Sequence, residues 1–188
     1  MKLIVVQVAF SLSVDLLAYF SVHFWTMSNE FIYNIYMLVE FVLIGSAIYY
    51  SIHNQIIKKI IQISLFLLPI FAALSYFRLN FMQFNHIVLV LSFLLLSTYN
   101  LLYLIVPDYR NSVTSDPMIW VCIGHVIYFL GVTPYFAGRE FMINSRPDLA
   151  NELFSYINLV LVICRYFFIG IGFISLYKIK PLKKISHD

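Results

Sequence analysis

The chain has 188 residues, of which 62% are hydrophobic and only 11% charged. Soluble domains carry about 45–50% apolar and about 25% charged residues, so this composition excludes a soluble protein that covers its surface with polar groups. The mean hydropathy is +0.87. The formal net charge of +3 comes with no basic stripe interleaved with aromatic platforms, so the expected partner is the lipid bilayer and not nucleic acid.

A membrane-crossing helix needs about 20 mostly apolar residues. Six such helices with short loops use up this length, and the expected fold is an all-α, polytopic transmembrane bundle of six helices forming one domain over 1–188. The first span covers 3–22. It follows a single lysine, as in a signal peptide, but Asp15 interrupts the run and no small-x-small cleavage site follows, so it reads as an uncleaved helix. The second span covers 31–51, after a short polar link. The segment HNQIIKK, His53 to Lys59, reads as a turn before a third span at 60–77. Pro69 lies near the middle of that span, where it removes a backbone hydrogen bond and favours a kink. The fourth span covers 86–106, and PDYRNSVTSDP is the clearest loop, with a proline at each end. The fifth span covers 118–137, GREFMINSRPDL reads as a link, and the sixth span covers 153–177.

Lysine and arginine orient this set. One side holds Lys2, Lys58, Lys59, Arg110, Lys178, Lys180, Lys183 and Lys184, and the other holds Arg78, Arg139 and Arg146. Eight against three places both termini in the cytoplasm. Trp25, Tyr49, Tyr50, Tyr76, Trp120 and Tyr177 fall near span ends, where amphipathic rings favour the interface. Cys122 and Cys164 both fall inside spans and read as small packing residues, not a disulfide.

Four ionisable residues fall deep inside the spans: Asp15, Glu40, His125 and Arg165. A charged group at mid-membrane costs about 2.5–3.5 kcal/mol on insertion scales, so such groups pair with one another or line water. At 1.5 Å per residue, Asp15 lies about 18 Å from the inner end of its span, Glu40 about 14 Å and Arg165 about 18 Å from the outer ends of theirs. In a core about 30 Å thick these are similar depths. His125 is a step lower, about 10 Å from the inner end.

Spacing then suggests which way these groups face. Gln7, Ser11, Asp15 and Tyr19 recur every four residues in the first span; Tyr33, Tyr36 and Glu40 share a face of the second; Ser155, Asn158, Arg165 and Gly172 share a face of the sixth. Three polar stripes at one depth predict a buried ionic or ligand-binding site of Asp15, Glu40 and Arg165, with the terminal helices as neighbours in a closed bundle. Gln7, Ser11, Tyr36 and Asn158 are its expected supporting polar residues. Two carboxylates against one guanidinium leave one negative charge for a proton or a cation to compensate. In the fifth helix His125 precedes Tyr128 by three residues, and Gly124 and Gly131 mark a close-packing face. Tyr99, Asn100 and Tyr103 of the fourth helix are candidates to extend the cavity.

No hydrolase or zinc-protease motif and no glycine-rich phosphate loop occurs, so no cofactor is expected. No metal site is expected either: His23 and His86 share a boundary but lack an evident third ligand.

The segments YNIYMLVEFVLIGSAIYY, WVCIGHVIYFLGVTPYF and INLVLVICRYFFIGIGF give the chain a layout similar to a class of small, uncharacterised multi-pass bacterial membrane proteins. That resemblance implies a bacterial inner-membrane location and carries no activity. The layout also resembles the membrane-embedded sensor regions of bacterial histidine kinases. The leading expectation is a small non-enzymatic sensor or accessory module with a buried polar site, working with a membrane or signalling protein partner. A second reading is a proton-linked small-molecule carrier, with Glu40 or Asp15 titrating against Arg165. A third is an intramembrane lipid-modifying enzyme using His125 or the carboxylates as acid–base groups.

Overall fold

The computed structural model describes residues 1–25, 30–78, 86–106 and 116–179, with side chains at 22–25, 30–31, 77–78, 139–140, 143, 147, 150–151, 154–155 and 177–179 left out. Arg110, Lys180, Lys183 and Lys184, and the side chains of His23, Trp25, Arg78, Arg139, Ser155, Tyr177 and Lys178, therefore lie outside the described residues. The described part consists of six helices: α1 (Lys2–Trp25), α2 (Glu30–Ser51), α3 (Gln55–Arg78), α4 (His86–Ile105), α5 (Pro117–Ser145) and α6 (Pro147–Ile179). Each contains a segment long and apolar enough to cross a membrane, and no strand occurs among the described residues. This is the architecture of a multi-pass membrane protein.

Two boundaries differ from the sequence reading. Lys58 and Lys59 are not in a turn. Asn54 caps α3, its Oδ1 accepting from the backbone N–H of Ile56 (3.0 Å) and Ile57 (3.2 Å), so the helix already begins at Gln55. The link GREFMINSRPDL is almost entirely helical, and α5 and α6 are separated only by Arg146. Pro147 explains the break: it disfavours helical geometry at the preceding residue, and Arg146 sits at φ −152° and ψ 82° while proline itself suits the first helical position. At the other end of α5, Asp116 accepts from Met118 N–H at 2.9 Å ahead of Pro117, and Tyr103 of α4 donates to its second carboxylate oxygen at 2.8 Å. One carboxylate thus caps α5 and ties it to α4.

Burial separates two kinds of helix. Half of the α4 span is buried but only 17% of the α6 span. α2, α4 and α5 form the centre, with α1 against α2, α3 in the groove of α2 and α4, and α6 along α5. Each outer helix uses a narrow seam. In α1 it is Ile4, Gln7, Ser11, Val14, Ala18 and Ser21, alternating steps of three and four; in α6 it is Arg165, Ile169 and Gly172. The remaining faces expose leucine, isoleucine, valine and phenylalanine, as lipid-facing surfaces do.

Lipid offers no hydrophobic incentive for helices to associate, so close packing and hydrogen bonds must hold them. Aromatic contacts join α4 to α5 (Phe93 to Phe129, 5.2 Å) and α5 to α6 (Trp120 to Phe168, 6.4 Å). Glycines set the α5–α6 spacing. A Cβ at Gly124 would stand 2.8 Å from the Arg165 carbonyl oxygen, and one at Gly172 2.8 Å from that of Pro117. At Gly131 it would meet only the flexible end of Leu161, and at Gly170 it would meet nothing within 4 Å. Gly124→Ala is therefore expected to destabilise the protein by about 1–3 kcal/mol, since backbone must move. Gly170→Ala is expected to be neutral or stabilising by up to about 1 kcal/mol. Unfolding in mixed micelles checks the order, and equal effects at the two positions would contradict the backbone contact.

Candidate functional site

The depth matching of the helices follows from their antiparallel pairing. α1 and α2 run against each other so that Gln7 faces Glu40 and Ser11 faces Tyr36, and α6 brings Arg165 and Tyr166 to the same level. Glu40 is the focus. Its Oε1 accepts from Gln7 Nε2 at 3.1 Å, from Tyr36 Oη at 2.8 Å and from Arg165 Nη2. The Arg165–Glu40 contact is an ion pair with both side chains only 3% exposed. Around it, Ser11 Oγ lies 2.9 Å from Tyr36 Oη, and Tyr166 Oη donates to Ser11 Oγ at 2.9 Å. The network draws two residues from each of α1, α2 and α6.

Aromatic rings close the rest of the arginine's surroundings. Its Cζ lies 4.7 Å from the centroid of Tyr128, 5.3 Å from Phe129 and 5.9 Å from Tyr166. A guanidinium between ring faces in a dry site gains cation–π attraction while water is kept away. The pair is thus held by charge, by three donors on one oxygen and by an aromatic wall.

Of the expected ionic trio, Glu40 and Arg165 meet and Asp15 does not join them. Asp15 is exposed and makes no hydrogen bond or ion pair among the described residues, although it lies within Coulombic range of both. The reason is angular. A four-residue step advances about 40° beyond a full turn, so the row Gln7, Ser11, Asp15, Tyr19 winds about 120° around the helix from end to end. The seam of α1 keeps in line by alternating threes and fours, which buries Val14 and turns Asp15 outward. The same drift leaves Tyr19 56% exposed.

The supporting residues divide similarly. Gln7, Ser11, Tyr36 and Tyr128 belong to the site. Asn158 is half-buried on α6 two turns from Arg165 and makes no hydrogen bond among the described residues. Gly172 serves the α5 contact. His125 is fully buried beside Phe129 (5.7 Å), within Coulombic range of Arg165, and neither ring nitrogen has a hydrogen-bond partner among the described residues. The fourth-helix residues do not extend a cavity toward the site. Asn100 is buried and donates to Leu96 of its own helix at 2.7 Å, Tyr99 hydrogen-bonds Ser64 of α3, and Tyr103 reaches Asp116. Tyr99 and Tyr103 are thus used in ties to neighbouring elements, while Asn100 bonds within its own helix and its buried Oδ1 has no hydrogen-bond partner among the described residues.

Tyr166 and Phe129 were not singled out by spacing. Tyr166 follows Arg165 directly, and a residue beside an intramembrane charge on a narrow seam is within reach of the same partners. Phe129 lies four residues past His125 and packs against Phe93 of α4, with its ring still 5.3 Å from Arg165 Cζ. Neither Cys122 nor Cys164 forms a disulfide. Among the described residues no three of His, Cys, Asp and Glu converge as metal ligands would. No family model, curated protein or solved structure matches the chain.

Removing one member of a buried pair strands the other, which typically costs about 3–5 kcal/mol. Arg165→Leu is expected to destabilise the protein by that order, and adding Glu40→Gln to recover part of the loss, because the stranded carboxylate is then neutralised. Melting in detergent measures both. A double variant no more stable than Arg165→Leu alone would contradict the pairing.

Proposed function

We propose that this chain is a small non-enzymatic membrane sensor or accessory module, and that its buried ion pair is a switchable latch between two helical hairpins. The observation that carries this reading is the difference between the two sides of α6. It lies broadly against α5 and is spaced by glycine there, whereas it reaches α1 and α2 through the polar ends of Arg165 and Tyr166. α1–α2 forms one unit and α5–α6 the other, joined through α4 on one flank and through the ionic network on the other. A hydrogen-bonded charge pair in a sealed site is bistable: it is either formed or replaced by water and counter-charge, with little between.

A carrier typically builds its site from helices broken near mid-membrane. Here α1, α2, α5 and α6 each run unbroken past the network, including through Gly170 and Gly172, which supports a latch over a transport path. The orientation that fits is the one read from lysine and arginine: both termini and the Lys58–Lys59 pair on the cytoplasmic side of a cell membrane, of the bacterial inner-membrane kind. In this role opening of the latch alters the α5–α6 hairpin, and a membrane or signalling protein partner reads the change.

Spin labels on lipid-facing positions test the latch. With Cys122 and Cys164 first replaced by alanine, labels at Leu16 on α1 and Ile163 on α6 are expected to give one narrow distance distribution in bilayers. Glu40→Gln is expected to broaden it or shift it by about 5 Å, the scale of one helical turn. An unchanged distribution would refute the latch. The orientation has its own check: a cysteine at position 58 is expected to resist an impermeant thiol reagent added outside intact cells, and labelling there overturns it.

A further inference from the structure

We infer that protons reach Glu40 along a chain of hydroxyls, Tyr166 to Ser11 to Tyr36, with Asp15 as the collecting carboxylate at its mouth. This rests on the latch reading and names its trigger: the ligand of the site is a proton.

Counting hydrogens fixes the direction. Each of the three hydroxyls has one proton to donate. Tyr36 Oη is 2.8 Å from Glu40 Oε1, and an ionised carboxylate only accepts, so the Tyr36 proton is committed to Glu40. Ser11 Oγ is 2.9 Å from Tyr36 Oη and must therefore be the donor of that bond. Tyr166 Oη, 2.9 Å from Ser11 Oγ, donates in turn to Ser11. All three O–H bonds point at the carboxylate, and the Tyr166 oxygen is left with lone pairs to accept.

A proton arriving at Tyr166 Oη then moves the whole row by one place. Its own phenolic proton passes to Ser11 Oγ, the Ser11 proton to Tyr36 Oη, and the Tyr36 proton to Glu40 Oε1. Each O–H bond breaks as the next forms. The products are three neutral hydroxyls with reversed orientation and a neutral Glu40 carboxylic acid. Arg165 then loses its counter-charge and keeps only the faces of Tyr128, Phe129 and Tyr166, which opens the latch.

Asp15 is the entry group. It is exposed, one turn along α1 from Ser11, and within Coulombic range of Glu40 and Arg165. Residues four apart on a helix have Cβ atoms about 5–6 Å apart. An exposed carboxylate deep in a membrane span requires a proton or a counter-cation, and Asp15 takes the proton and passes it by way of water to Tyr166. The titratable groups about Glu40 are Asp15 on α1, Tyr33 and Tyr36 on α2, His125 and Tyr128 on α5, and Arg165 and Tyr166 on α6; from α4, Tyr99 is turned to Ser64. His125 is off the route, since its ring nitrogens have no hydrogen-bond partner among the described residues.

Infrared difference spectroscopy after an acid jump, on the whole chain in lipid nanodiscs, reads the proton directly. A carboxylic acid carbonyl band is expected to grow in, and its Glu40 component is expected to be missing in Glu40→Gln, while the component of exposed carboxylates such as Asp15 remains. Ser11→Ala, which leaves Glu40, Arg165 and Tyr36 in place, is expected to slow the appearance of the Glu40 component at least about tenfold with its final amplitude unchanged. Tyr166→Phe is expected to do the same, and Ser11→Thr, which keeps the hydroxyl, to stay within about twofold of the parent. A parent-like rate of the Glu40 component in Ser11→Ala and Tyr166→Phe, no component lost in Glu40→Gln, or no band at all overturns the inference. The latch is judged separately by spin-label distances in Glu40→Gln, so a slow band without a distance change sinks the latch and leaves the proton route standing, and the converse sinks only the route.

Discussion

The structure depends on a charge pair placed where charge is least welcome. Arg165 and Glu40 stand near the middle of their spans and are almost fully enclosed. In lipid neither could remain ionised alone, so each fixes the position of the other, and with it the position of α6 relative to α1 and α2. Gln7 and Tyr36 add donors to the carboxylate oxygen, and Tyr128, Phe129 and Tyr166 wall in the guanidinium. A buried pair of this kind is weak evidence for stability in itself, because desolvation opposes the attraction. Its strength lies in specifying one arrangement, since Asp15, a second carboxylate in the spans, is turned outward and does not pair with Arg165.

Two means of joining helices divide the molecule. Between α5 and α6 small residues let backbones approach, and Gly124 and Gly172 leave no room for a methyl group. That contact is rigid because backbone atoms cannot give way. Between α6 and the first two helices the joining atoms are the ends of long side chains, which have rotamers to change and alternative partners in water. The stiff joint and the polar joint meet at Arg165, whose carbonyl oxygen touches Gly124 and whose guanidinium holds Glu40.

The spans were legible because length and hydropathy are summed over about twenty residues, and local irregularities average out. Glu40 and Arg165 were legible because intramembrane charge has few places to go. Asp15 was misread for a reason visible in α1: equal four-residue steps look like a stripe on paper but wind away from the seam, and the alternation through Ile4, Gln7, Ser11, Val14 and Ala18 was the better guide. Helix ends were misread where a single residue decides them, as with Asn54 at the start of α3 and Pro147 after Arg146. Tyr166 lay outside any periodic argument, since its role comes from reach across an interface and not from its place on a helix face.

The central claim is that Arg165 and Glu40 are in contact at the middle of the bundle in a lipid bilayer. Solid-state nuclear magnetic resonance on protein labelled with nitrogen-15 in arginine and carbon-13 in the glutamate carboxyl measures this through the dipolar coupling between the guanidinium and the carboxylate. The account predicts a nitrogen–carbon distance of about 3.5–4 Å, as in other charge-assisted pairs, with the signal lost in Glu40→Gln. The same coupling surviving that substitution, or no coupling corresponding to a separation under about 6 Å, would contradict it.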